Sequence, residues 1–337
     1  MLKIIRTFFK VDQRTPLAFG IAKNTIFQLI GKLATMGVTV LITYLITHNY
    51  GEGTYGDFSL MQNIPALFFV IVDFGLNAIS VREAAKHEEK LYHYFVNILV
   101  FRFLFSAVII LALLLALEFL PYSEELKRGI RISLPLILTF SFFSTANIIF
   151  QTKLRYDLSA KSQIAGYIFI LLASMILIKR GAPVSFLSFS YVIGGFLTFG
   201  LAFLFISKLG LKKEFYLDKP LLKSLFKESL PLGVMFIFSQ ISFKEDTVIL
   251  SLLRIPSWVN MNHSQVVGVY SLPYKIFEVT LVLPTFFMNS VYPILVRFLN
   301  QDLSLFLKGF KKSLLFLAIS GFLVSLLGIV LSPFLVN

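Results

Sequence analysis

The chain has no cysteine, a single tryptophan and little charge, with Asp, Glu, Lys and Arg making up 15% of its 337 residues. Without cysteine there is no disulfide framework, no thiolate nucleophile and no Cys-ligated zinc or iron–sulfur centre. Only four histidines are present, and His87 and His93 sit near one loop without the spacing of metal ligands, so no metal site is expected. Serine is plentiful, but no Ser-His-Asp constellation and no paired carboxylates in a sizeable loop can be assembled, so no catalytic residues, no cofactor and no enzyme activity are expected. The residues before Lys10 are basic and amphipathic but lack the apolar run and small-residue cleavage site of a secretory signal, and Leu2 to Gly20 reads as an interfacial lead-in. Long polar stretches are scarce too. The longest, Lys208 to Lys227, is too short to be a soluble domain.

What the chain has instead is apolar mass: 57% hydrophobic residues, 38 phenylalanines and a mean hydropathy of +0.81. Soluble domains are about 45–50% apolar and about 25% charged, so this composition specifies an integral membrane protein. Continuous windows of roughly 20 apolar residues suit spanning helices, whereas a closed barrel would show alternating segments of about ten, so the fold class is all-α. About nine windows can be placed. They lie near Thr25–Thr47, Asp57–Ile79, Tyr94–Leu117, Ile132–Gln151, Gln163–Ile178, Val184–Ser207, Ser229–Leu253, Gly268–Val296 and Leu314–Val336.

The formal charge of +13 is a matter of orientation rather than nucleic-acid binding. Lys and Arg crowd the lead-in and the segments around Arg82–Lys90, Lys153–Lys161, Lys208–Lys227 and Arg297–Lys312, while the alternate loops carry few. A multi-pass protein of the cell (inner) membrane with a cytoplasmic amino terminus is expected. The polar connection of about 208–228 divides six windows from three, which gives a first lobe of residues 1–228 and a second of 229–337. The second lobe is expected to be incomplete, since Asn337 follows directly on an apolar window. An internal echo supports two lobes: Gly53-Thr-Tyr55 and Gly268-Val-Tyr270 each precede an even-numbered window, as a parallel repeat about an axis along the membrane normal would place them.

Ionisable residues at membrane depth are costly and point to function by default. Lys32, Asp73 and Arg102 fall at similar depth in the inner half of the first three windows. Lys244, Glu245, Asp246, Lys275 and Glu278 fall in the outer half of windows seven and eight, with Lys275 and Glu278 on one helical face. Two readings stand. Lys32–Asp73 and Asp246–Lys275 are ion pairs between neighbouring helices, or Lys32, Arg102, Lys244 and Lys275 line a cavity that holds an anionic headgroup while Asp73, Asp246 or Glu278 carries a proton or sodium ion. Pro273, Pro284 and Pro293 cluster in window eight, where they are expected to bend the helix beside a pathway. Gly194, Gly195 and Gly200 are expected to permit close helix packing.

Ser239-Gln-Ile-Ser-Phe-Lys-Glu-Asp246, Val267-Gly-Val-Tyr270-Ser-Leu-Pro-Tyr-Lys275-Ile-Phe-Glu278, Leu283-Pro284 and Val291-Tyr-Pro293 resemble the Wzx-type polysaccharide and O-antigen flippases of the multidrug/oligosaccharidyl-lipid/polysaccharide exporter (MOP) superfamily. Tyr50-Gly-Glu-Gly53-Thr-Tyr55-Gly with Val72-Asp73-Phe-Gly75 is similar to the family's opening hairpin. The resemblance implies a MATE-like fold of two six-helix bundles, here with about nine helices. It implies a transporter that moves undecaprenyl-pyrophosphate-linked oligosaccharide from the cytoplasmic to the outer leaflet by ion-coupled alternating access. Its partners would be the lipid-linked glycan, a proton or sodium ion and polysaccharide-assembly membrane enzymes, with no nucleic acid. The family's intramembrane Asp maps onto Asp246 and its Gly-X-Tyr onto Gly268 and Tyr270. Alternatives are a multidrug or cation-coupled exporter of the same superfamily, or a membrane glycan polymerase or ligase.

Overall fold

Backbone amides and carbonyls cannot be left unpaired in hydrocarbon, and the chain answers this with helices throughout. The structure, a computed structural model, describes residues 16–212, 216–256, 258–281 and 302–336, with isolated positions between 284 and 295. Helices α1 (Pro16–Tyr50), α2 (Glu52–Asp73), α3 (Leu76–Lys86), α4 (Leu91–Glu118), α5 (Glu124–Ser133), α6 (Leu136–Thr152), α7 (Tyr156–Lys179), α8 (Val184–Ser207), α9 (Lys219–Leu252), α10 (His263–Thr280) and α11 (Leu303–Val336) follow in chain order, and no strand occurs among the described residues.

Seven helical stretches among the described residues are long and apolar enough to cross a membrane. They match the first six windows and the last; windows seven and eight fall on α9 and α10, parts of which lie outside the described residues. The second window ends earlier than its hydropathy suggests. Phe74 (φ 43°) and Gly75 (φ 72°) are both left-handed, so α2 stops at Asp73 and the chain restarts as α3 instead of running on to Ile79. Glycine takes this conformation freely, whereas Phe74 is held in it by its neighbours. Its ring stacks on Phe226 with centroids 5.0 Å apart, and a Cβ on Gly233 would lie 2.6 Å from the Phe74 ring.

Residues 26–273 form one compact unit, and the described residues of 16–25 and 274–336 form another. Within the first, α6 packs against α2, α3, α4, α7 and α8, and α9 packs against α2, α3 and α4. Thus α9, which the sequence pattern places in a second lobe, lies here against the second and third spans of the first. Gly194 and Gly195 do make the close approaches expected of them, against Ile170 and Thr139, but Gly200 faces nothing within 4 Å. In the second unit Phe287 stacks on Phe316, with centroids 4.3 Å apart, beside buried Val291 and Leu295.

Candidate functional site

Apolar packing leaves a few places where polar groups must satisfy one another, and these hold the residues the sequence singles out. At the C-terminal end of α2, Asp73 sits where the helix dipole is negative, an unfavourable place for a carboxylate unless a cation offsets it. Arg102 of α4 does so: its Nη2 donates to Asp73 Oδ1 at 2.6 Å. Arg102 is entirely buried, the Asp73 side chain only 18% exposed. From α6, Ser144 Oγ donates to the same Asp73 oxygen at 3.0 Å, and Thr145 Oγ1 accepts from Arg102 Nη1 at 2.9 Å. Thr145 Oγ1 donates in turn to the Ser141 carbonyl at 2.7 Å, and Ser106 and Ser141 hydroxyls meet at 3.2 Å. Among the described residues the Arg102 Nε has no hydrogen-bond partner.

Among the described residues Asp73 therefore pairs with Arg102 and not with Lys32, and the Arg102 side chain is fully buried. Depth alone cannot separate the two partners; the azimuth of α4 decides, because it turns Arg102 toward α2 and α6. Lys32 is exposed, one residue from the point where a Gly31 Cβ would lie 3.1 Å from the Ala160 Cβ on α7.

The sequence echo proves to be a contact. A Cβ on Gly56 would lie 2.1 Å from the Ser264 carbonyl oxygen, and one on Gly268 would lie 2.1 Å from the Glu52 carbonyl oxygen. The start of α2 and the start of α10 thus cross backbone to backbone, which glycine alone permits. Gly53 lies near Gln265, Tyr55 is buried, and Ser264 Oγ donates to Asp57 Oδ1 at 2.6 Å beside the crossing. Asp57 and Gly56 carry this seam, although the motif drew attention to Gly53 and Tyr55.

Farther along α10, the Tyr270 hydroxyl donates to Asp246 Oδ2 on α9 at 2.7 Å, so the two residues taken from the family motif meet directly. Asp246 is exposed. Lys275 Nζ donates to Glu278 Oε2 at 2.9 Å, each side chain 34% exposed, as their spacing of three requires. Pro273 is exposed within α10 and Pro284 is half-buried; Pro293 and the Lys244 side chain lie outside the described residues.

A further cluster lies near the N-terminal end of α4, where His93 and Asn97 share a face. His93 Nε2 faces Asp218 Oδ2 at 3.3 Å, and Asn97 Nδ2 donates to the Tyr216 carbonyl at 3.0 Å. Asn97 Oδ1 accepts from the Asp218 amide at 2.7 Å. Asp218 also caps α9 by accepting from the Leu221 amide at 2.9 Å, and this bond, with help from His93 and Lys90, holds its carboxyl below the usual range. The connection between α8 and α9 is thereby tied to α4. The i, i+4 spacing of His93 and Asn97 was the available signal; taken alone, His93 reads as an interfacial side chain. Among the described residues no cluster of His, Asp and Glu is arranged to hold a metal.

Residues 21–299 match the model of the polysaccharide biosynthesis protein family. The chain belongs to this family. Comparison with curated proteins gives no match. Among solved structures, the fold is similar to a MOP superfamily transporter from Pyrococcus furiosus described as having a binding pocket of reverse polarity, at 14% identity and a TM-score of 0.66, with 94% of this chain and 72% of that one covered. It is similar to the MATE multidrug transporter DinF-BH in complex with R6G, at 19% identity and a TM-score of 0.64, over 85% of this chain and 67% of that one. It is also similar to an inward-facing multidrug resistance MATE family transporter, at 12% identity and a TM-score of 0.66, over 91% of this chain and 74% of that one. The chain spans 65% of the length of a further solved relative. The polysaccharide family member is thus a multi-pass membrane protein with a MATE-like fold, as the resemblance in its sequence implies.

Proposed function

We propose that this family member moves a lipid-linked oligosaccharide, carried on undecaprenyl pyrophosphate, from the cytoplasmic to the outer leaflet of the cell membrane by ion-coupled alternating access. The observation that carries this reading is the polysaccharide biosynthesis family match over residues 21–299, joined to a MOP transporter fold with ionisable groups at membrane depth. Lys32, exposed on α1, is the inner cation for the pyrophosphate, and Lys244 and Lys275 serve the outer half. Arg102 acts through Asp73, fixing the packing of α2, α4 and α6, because turning toward a ligand would break its buried bonds to Asp73 and Thr145. Asp246, exposed and held by Tyr270, is the carboxylate that takes up the coupling proton or sodium ion, with Glu278 beside Lys275 as the second. The amino terminus is cytoplasmic on the same reading, which puts Asp218 and the α8–α9 connection inside.

The test is the sidedness of lipid-linked glycan, read with a membrane-impermeant probe on intact cells and on inverted vesicles, with and without the gene. Glycan retained on the cytoplasmic leaflet when the gene is lost supports flipping. Unchanged glycan sidedness together with accumulation of a cationic dye moves the protein to the multidrug branch, the activity named for DinF-BH.

A further inference from the structure

Between α2, α4, α5 and α9, in the outer half of the unit of residues 26–273, lies a cavity of about 310 Å³. Its walls are aliphatic and aromatic: Ile64 and Phe68 from α2, Leu113 and Leu117 from α4, Ile130 from α5 and Val248 from α9. The one hydroxyl in the lining, that of Tyr122, is already engaged with Ser251 Oγ at 2.8 Å. Ordered water needs roughly two to four polar partners, and an apolar cavity of about 150 Å³ stays dry and takes up benzene. This one is twice that size and has no polar group to spare, so its natural content is hydrocarbon.

The direction of its mouth identifies the source. Ala116 on α4 and Ile249 and Leu252 on α9 line the cavity and are exposed, and they continue into Leu115 (63% exposed) and Leu253 (55% exposed). Leu115 lies on α4, which is long and apolar enough to cross a membrane, and Leu253 follows directly on α9, where the seventh apolar window of the sequence falls. The cavity therefore opens sideways into the bilayer, where phospholipid acyl chains are far more abundant than any other hydrocarbon, and even weak affinity fills it by mass action. The geometry points to a site for a phospholipid acyl chain, inserted laterally between α4 and α9 and bounded at its outer rim by the Tyr122–Ser251 hydrogen bond. The chain supplies there the packing that side chains supply elsewhere along α9, and it is independent of which substrate the protein carries.

The experiment uses the full chain in nanodiscs containing a phospholipid with a diazirine near the middle of one acyl chain, with photolabelled positions mapped by mass spectrometry. Label is expected to concentrate at residues 113–120 and 248–252. Ala116→Trp and Ile249→Trp, both at exposed positions in the mouth, are each expected to reduce it severalfold, while Leu111→Trp, exposed on α4 away from the cavity, leaves it unchanged. Labelling spread evenly over all bilayer-facing residues overturns the proposal, as does full labelling of the lining in both mouth variants. A parallel arm uses a diazirine-bearing polyprenyl phosphate at equal mole fraction: preferential labelling of the same residues by that probe also overturns the acyl-chain assignment and makes the cavity a seat for the carrier lipid's tail. A negative result in either arm leaves the sidedness assay untouched, so failure of this site and failure of the flipping reading remain separate outcomes.

Discussion

Removing the Arg102 charge should injure the fold before it injures transport. The guanidinium is fully buried and bonds Asp73 at 2.6 Å, Thr145 at 2.9 Å and the Ser141 carbonyl at 3.4 Å. Arg102→Met removes those donors and leaves a carboxylate, 18% exposed, at the negative end of a helix in low dielectric. Breaking one partner of a buried pair costs about 3–5 kcal/mol, whereas replacing both by neutral groups of similar volume is close to neutral. The single variant should thus lose about a hundred- to a few thousandfold in folded-to-unfolded ratio. Asp73→Asn/Arg102→Met should recover most of that, which is the coupling a double-mutant cycle isolates. The assay is the surviving monodisperse fraction after heating in detergent, with membrane-inserted protein level as a second measure. If Arg102→Met is as stable as the parent protein yet abolishes glycan export, the enclosed pair is not structural and Arg102 meets the headgroup directly.

The remaining predictions concern the two ends of the bundle. Lys32→Gln should lower glycan export with protein level unchanged, checked by quantifying surface glycan against membrane-inserted protein; equal export would remove Lys32 from the headgroup path. Gly268→Val should destabilise the crossing of α2 and α10 by about 1–3 kcal/mol, because a Cβ would meet the Glu52 carbonyl at 2.1 Å and backbone cannot swing aside. Gly200→Val, facing nothing within 4 Å, should leave thermal stability unchanged in the same melting series. Tyr270→Phe removes the donor to Asp246 at an exposed site and should cost under about 1 kcal/mol, yet shift the proton or sodium dependence of transport. For Asp218, whose carboxyl is held below its usual range, the folded state binds fewer protons than the unfolded one through the acid range. Its contribution is fully present above about pH 4 and fades as pH falls further. Asp218→Asn, which keeps a cap but not the charge, should flatten that part of the acid-stability profile.

The spanning architecture was legible because it rests on one strong signal, the apolar window, and all-helical structure follows from the bilayer's inability to pair backbone groups. The second window differs from its helix through a backbone event: Phe74 and Leu76 keep the hydropathy high to Ile79, across the left-handed break at Phe74 and Gly75. The Gly-X-Tyr echo was visible as a repeat, but a repeat says nothing of contact. That the two copies cross at Gly56 and Gly268 depends on helix placement. The charges show the same limit most clearly. Depth along a helix can be counted from the sequence, and it put Lys32, Asp73 and Arg102 at one level. Azimuth cannot be counted when a helix is apolar on every side, as α4 is, for no polar stripe marks the face turned to solvent or core. The choice between Lys32 and Arg102 as partner to Asp73 then rests on Ser144 and Thr145, hydroxyls too common in this chain to stand out. Where charges are few and hydroxyls many, the fold is set by the apolar majority, and the polar minority is placed by whichever helix face that packing leaves inward.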